Sequence, residues 1–221
     1  MYVRCGGDDE QSCDWTTEGA RVYLSSTPYE AHKDSAFLSA SIVEILVKRG
    51  GEGEIGGLDL GNFGPGDQFE VSDIVGRGFQ SLFHEENKLG ASLEEGKNLL
   101  MIGSSTGIGP LRSVIEWLPV QAYAGQHQVT LLYHVESLDA AAYLDHWDEW
   151  REANIHVRPC LGSKDASMLE GELFTSEGEI RIKPNNTHVL ISGLPGKVTA
   201  RLSRLLTQNS ILGNQVFFCE Y

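Results

Sequence analysis

A chain of 221 residues is long enough for one large or two small domains, and its 41% hydrophobic content suits a chain that buries a core. A formal net charge of −14 argues against nucleic acid or an anionic membrane surface as the default partner. No apolar run approaches the ~20 residues needed to span a bilayer, and the four cysteines, Cys5, Cys13, Cys160 and Cys219, form no close Cys-x-x-Cys pair of the kind that holds zinc, so no metal site is expected.

Residues 1–95 carry short β-like runs at 2–4, 21–25, 41–48 and 68–72, separated by Gly- and Asp-rich turns such as Gly50-Gly-Glu-Gly53 and Gly64-Pro-Gly-Asp67. That pattern predicts an antiparallel sheet or partial barrel. The polar stretch 84–98 reads as a linker. From residue 96 the pattern changes in kind. Leu99-Leu-Met-Ile102 is an apolar run of strand length, and Leu111, Val114, Ile115 and Leu118 then recur at helical spacing. Gly103, Gly107 and Gly109 lie between them, where a backbone must turn sharply and approach a ligand closely. A helix that begins where a parallel strand ends points its first N–H groups into the crevice, which suits a phosphate. A strand over 128–134, a helix over 138–154 and a strand over 155–161 follow. After them come a less regular segment over 163–186, a strand over 188–192, a helix over 197–208 and a final strand over 215–219. Strands alternating with helices predict a doubly wound parallel sheet. Cys160 and Cys219 fall in its apolar strands, as reduced core residues.

The order Gly103-Ser-Ser-Thr-Gly-Ile-Gly-Pro-Leu-Arg-Ser113 resembles the Gly-Gly-Thr-Gly-Ile-Ala-Pro-Leu-Arg-Ser turn of the ferredoxin–NADP reductase superfamily. Arg21-Val-Tyr-Leu-Ser25 is similar to that family's Arg-x-Tyr-Ser flavin motif. Pro65-Gly-Asp67, Gly76-Arg-Gly-Phe79 and Ser192-Gly-Leu-Pro-Gly196 resemble its barrel turn, its barrel closure and its Cys-Gly-Pro-Pro turn. The nearest likeness is to the plant fruit-protein type. The resemblance implies two domains, an incomplete flavin-binding β-barrel over 1–95 and an NAD(P)-binding α/β domain over 96–221.

It also implies FAD held by Arg21, Tyr23 and Ser25, and a nicotinamide nucleotide held by Gly103, Thr106, Gly107, Gly109, Pro110, Glu136 and Gly193. Ser192 and the terminal Tyr221 would then stand where the two rings meet. A guanidinium for a pyrophosphate and a ring for stacking are the chemistry such ligands need. Glu136 stands where the family often has an Arg; its carboxylate would repel a 2′-phosphate and accept from a 2′-hydroxyl, which favours NAD over NADP.

Other departures bear on activity. Leu24 replaces the family's flavin-facing Ser, Ser192 replaces its Cys, and Gly56-Gly57 replaces the small polar residue near the flavin pyrophosphate. The chain also starts inside the expected barrel, leaving open edges that a truncated sequence or a partner would explain. Beside a redox-sensing nucleotide binder without catalysis, two functions are therefore expected to compete. One is a flavin-dependent oxidoreductase moving a hydride between a nicotinamide nucleotide and FAD, with electrons passed on to an acceptor such as an electron-transfer protein. The other is a degenerate subunit of that fold docking in a larger complex. The plant-type resemblance implies a plastid location.

Overall fold

The computed structural model describes residues 2–5, 20–25, 44–47, 64–71, 79, 96–162, 167–174 and 182–219. Tyr221, Gly56-Gly57, residues 76–78, Cys13 and most of the expected linker lie outside them.

The first part is antiparallel, as expected. Strand β1 (Tyr2–Cys5) lies between β2 (Ala20–Arg21) and β5 (Phe69–Val71), while β3 (Tyr23–Leu24) pairs separately with β4 (Ile45–Leu46). The single strand predicted over 21–25 is thus broken at Val22, which passes the chain from one sheet to the next. Alternation sorts the second pair. Val22, Leu24, Ile45 and Val47 form a small apolar cluster on one face, and Tyr23 stands opposite Leu46 on the other.

The second part is one parallel sheet in the order β10-β9-β6-β7-β8. Its strands are β6 (Asn98–Ser104), β7 (Val129–Val135), β8 (Ile155–Leu161), β9 (Thr187–Ser192) and β10 (Val216–Phe218). Side chains alternate across it. Leu99, Met101, Val129, Leu131, Ile155 and Leu190 face α1 (Ile108–Ile115), α2 (Leu118–Ala124) and α3 (Trp147–Glu152). Leu100, Ile102, Leu132, Cys160, Val189 and Ile191 face α4 (Ser167–Leu173) and α5 (Gly196–Gln208). Both faces are covered, which explains why β6, β7 and β9 read as nearly continuous apolar runs. Pro159 fits because β8 is an edge strand.

Two helices differ from expectation. The run of helical spacing up to Leu118 is two helices, because Pro119 lacks an N–H and would clash with the Ile115 carbonyl if α1 continued; it sits instead in the first turn of α2. The helix predicted over 138–154 is reduced to two 3-10 turns, Leu138–Ala140 and Leu144–His146, and the short α3. Tyr143 between them is left-handed, with φ of 58°. Tertiary hydrogen bonds from the Ala142 N–H and the Tyr143 hydroxyl outweigh the helix propensity of this Ala-rich segment. Among the described residues no helix is long and apolar enough to cross a membrane, and no group of His, Cys, Asp and Glu could hold a metal ion.

Candidate functional site

The sheet order reverses between β6 and β9, and in open α/β sheets ligands bind beyond the carboxyl ends of the strands at such a switch. The turns leaving these two strands meet there. After β6 the chain makes a 3-10 turn over Ser105–Gly107 and runs straight into α1. After β9 it turns at Gly193, whose φ is +73°.

The two turns touch backbone to backbone. A Cβ on Gly193 would lie 2.5 Å from the Gly107 Cα and 2.5 Å from the Ser104 carbonyl oxygen, and a Cβ on Gly107 would collide with Gly193. Neither position admits a side chain. Beside them Ser192 is only 2% exposed, and its hydroxyl has no hydrogen-bond partner among the described residues. A buried polar group without a partner is costly. On the opposite face of the sheet, at the same end, the Ser104 hydroxyl and His134 Nδ1 share a hydrogen bond of 3.0 Å, with both residues buried. Glu136 is exposed immediately after β7.

The Gly-rich turn is braced from the sheet. The Tyr133 hydroxyl donates to the Ser105 carbonyl at 3.1 Å and accepts from the Ala142 N–H at 3.3 Å. This holds Ser105 in a left-handed conformation (φ 50°) that a serine seldom adopts. Burial raises the Tyr133 pKa, against a smaller lowering by the Ala142 N–H, so the phenol stays a donor.

No protein-family model matches the chain, and no curated protein matches it in sequence. Solved structures do match. The Amycolatopsis cytochrome P450 reductase GcoB superposes with a TM-score of 0.63 at 15% identity, over 98% of this chain and 59% of that one. A ferredoxin NADP+ reductase from Neisseria gonorrhoeae, with bound FAD and NADP, superposes with a TM-score of 0.54 at 13% identity, over 89% of this chain and 77% of that one. The chain has the ferredoxin–NADP reductase fold. It spans 59% of the length of the Amycolatopsis reductase.

Within this reductase fold the residues named from sequence separate into groups. Gly107, Ser192 and Gly193 converge at the switch, with Thr106 half-buried in the turn. Gly103 lets α1 sit close on β6, since a Cβ there would come within 2.9 Å of Leu111 Cδ1. Pro110 is buried in the first turn of α1. Gly109 faces the first part of the chain: its Cβ position lies 3.6 Å from Tyr23 Cβ and 3.4 Å from Ser25 Cβ. Tyr23 is therefore brought to the amino end of α1. Arg21 lies in β2, paired with Tyr2.

Ser25 is fully buried, and its groups are taken within the protein. Its hydroxyl donates to Glu44 Oε1 at 3.0 Å, and its carbonyl accepts from Arg112 Nη1 at 3.0 Å. Leu24 is turned away into the apolar cluster with Val22, Ile45 and Val47.

Three residues at this junction were not anticipated. Arg112 on α1 pairs with Glu44 Oε2 at 3.2 Å, and its guanidinium lies 5.2 Å from the centroid of the Tyr143 ring. The Tyr143 hydroxyl donates to Glu44 Oε1 at 3.0 Å. Burial above all pushes the Tyr143 phenol up to about 12; the Glu44 carboxylate adds to the rise, while Ser25 and Arg112 oppose it. A sequence signal existed for two of the three. Arg112 interrupts the apolar stripe of α1, and Glu44 is the lone charge in Ser41-Ile-Val-Glu-Ile-Leu-Val47. Tyr143 offered none.

Proposed function

We propose that this chain is a flavin-dependent oxidoreductase that moves a hydride between a nicotinamide nucleotide and FAD, then passes electrons to an acceptor. The observation that carries this is the pair of turns at the switch, where Gly107 and Gly193 leave no room for a Cβ and the buried Ser192 hydroxyl lacks a partner among the described residues. Such a cradle fits a nicotinamide nucleotide, with backbone N–H groups of the Ser105–Gly107 turn toward its pyrophosphate and Ser192 toward its ring. Tyr23, set against the amino end of α1, would pack on a flavin held by the first part of the chain, with Arg21 as its pyrophosphate partner. Bound there, the flavin would supply the hydride-accepting chemistry, while these residues bind and orient. That the Neisseria reductase carries FAD and NADP is consistent with this pairing. The exposed Glu136 favours NAD, because its carboxylate would repel a 2′-phosphate.

A second function has its own observation. Leu24 is directed into an apolar cluster and the Ser25 hydroxyl is taken by Glu44, so neither side chain is offered to a flavin ring. That favours a docking subunit that keeps the reductase fold without turnover.

The visible absorbance of the purified chain, before and after NADH or NADPH, separates the two. A flavin spectrum that bleaches, faster with NADH, is the expected result. A colourless protein would overturn the enzyme and leave the docking subunit. In the same assay Glu136→Arg is expected to shift preference toward NADPH by about tenfold or more, as charge contacts to phosphate allow.

A further inference from the structure

The contact between the two parts of the chain is directional rather than merely apolar. Leu46 and Phe79 from the first part pack on the core beneath α1. Around them lies a closed set of polar contacts. Arg112 holds the Ser25 carbonyl and the Glu44 carboxylate, Ser25 and Tyr143 both donate to that carboxylate, and the Ser25 N–H donates to the Glu44 carbonyl at 2.9 Å. The Arg112 side chain is 7% exposed and that of Glu44 43%, so the cation is buried and its partner half open.

Both ends of this set lead to the Gly-rich turn. Arg112 lies one helical turn from Ile108 on α1. Tyr143 follows Ala142, whose N–H donates to Tyr133, which in turn donates to the Ser105 carbonyl. The strand that carries Tyr23 is thus tied to the turn by two routes, and Tyr23 and Ser25 stand over Gly109. Apolar surfaces can slide over one another; a guanidinium shared between a carbonyl and a carboxylate fixes an offset.

We propose that Arg112 is a positioning residue. Through Glu44 and the Ser25 carbonyl it sets the place of Tyr23 relative to the Gly-rich turn, and so the offset between the two halves of the crevice. This rests on the oxidoreductase function for its catalytic consequence, but not for its structural one.

The test compares Arg112→Met, Arg112→Lys and Glu44→Gln with Leu202→Ala, a core change on the far face of the sheet. Amide hydrogen exchange needs no ligand. Arg112→Met is expected to speed exchange at residues 20–25 and 44–47 about tenfold or more while leaving β6, β7 and β9 unchanged, as expected for local opening. Leu202→Ala should do the reverse. Arg112→Met combined with Glu44→Gln should add little to either alone, as for residues in one network.

With flavin and NADH present, Arg112→Met is expected to slow hydride transfer about tenfold or more and leave the nucleotide KM nearly unchanged, with part of the rate restored in Arg112→Lys. Unchanged exchange at 20–25 and 44–47, or exchange that rises equally in β6, β7 and β9, overturns the proposal. So does a rise in KM at constant kcat. If the wild-type chain reduces no flavin, the oxidoreductase function fails, and the exchange pattern alone still decides for or against Arg112.

Discussion

At the scale of single residues, glycines that look alike in the sequence do different work. Gly107 faces the backbone of Gly193, so Gly107→Ala forces two turns apart; it is expected to cost about 2 kcal/mol, in the range of core overpacking, and to abolish nucleotide binding. Gly109 has ordinary contact distances of 3.4 Å and more around its Cβ position. Gly109→Ala is therefore expected to be neutral or to gain up to ~1 kcal/mol from the helix position. Thermal unfolding of the two variants side by side checks both. Ser192 predicts a split of a different kind. Removing its hydroxyl, unpartnered among the described residues, in Ser192→Ala should hold or raise stability by about 1 kcal/mol while weakening the proposed binding of a nicotinamide nucleotide. Denaturant unfolding with a nucleotide titration reads both signs, and a stability loss would refute the unpartnered state.

Titration belongs to this scale too. The Tyr143 phenol is raised from 10.0 to about 12 in the folded chain. Below pH 10 both folded and unfolded chains keep the proton, so its contribution is complete there. Between 10 and 12 only the unfolded chain releases it, and the contribution is lost as pH rises. Tyr143→Phe should therefore lose less stability across that interval than the wild type. Cys160 behaves alike: burial first, then the Glu172 charge, push its thiol from 9.0 to about 12, with Arg158 opposing. It is expected to resist thiol reagents near neutral pH until the chain unfolds.

At the scale of elements, chain ends and breaks are set by backbone geometry. The polypeptide leaves α3 through Asn154, left-handed at φ 61°, before entering β8. Asn tolerates that conformation and a β-branched residue does not. Asn154→Val should cost about 1–2 kcal/mol and Asn154→Gly little, measured by urea unfolding. The Pro119 break between α1 and α2 was visible in sequence as a residue type, and its position follows from the missing N–H. The break at Tyr143 was not visible. Asp139-Ala-Ala-Ala-Tyr-Leu-Asp145 has no Gly or Pro, and only partners distant in sequence, Tyr133 and Glu44, draw the chain out of the helix.

At the scale of the molecule, a central strand with neighbours on both sides opens last. β6 lies between β9 and β7, while β8 and β10 are edges. Amide exchange is expected to be slowest in β6 and fastest in β8 and β10. The same order places the crevice. Reversal between β6 and β9 brings Gly107 and Gly193 together although they lie 86 positions apart in the chain, the difference of 193 and 107. The first part of the chain docks on the α1 face through Leu46, Phe79 and the Arg112 contacts, so residues of both parts stand beside α1.

Two kinds of architecture were readable in the chain alone, because strand and helix periods and turn residues are local properties. Five parallel strands with helices between them, antiparallel pairs before them, and the Gly-rich turn ahead of a helix were all legible. So was the pairing of Gly107 with Gly193, which the resemblance assigns to one nucleotide and whose backbones the structure brings into contact. The tertiary structure decided what each side chain does with its neighbours. It turned Leu24 into an apolar cluster, gave the Ser25 hydroxyl to Glu44, set Gly109 against Tyr23 and made Arg112 the link between the two parts. Those outcomes depend on which distant groups the fold brings within reach of a buried donor or acceptor, and no local pattern in the chain encodes that.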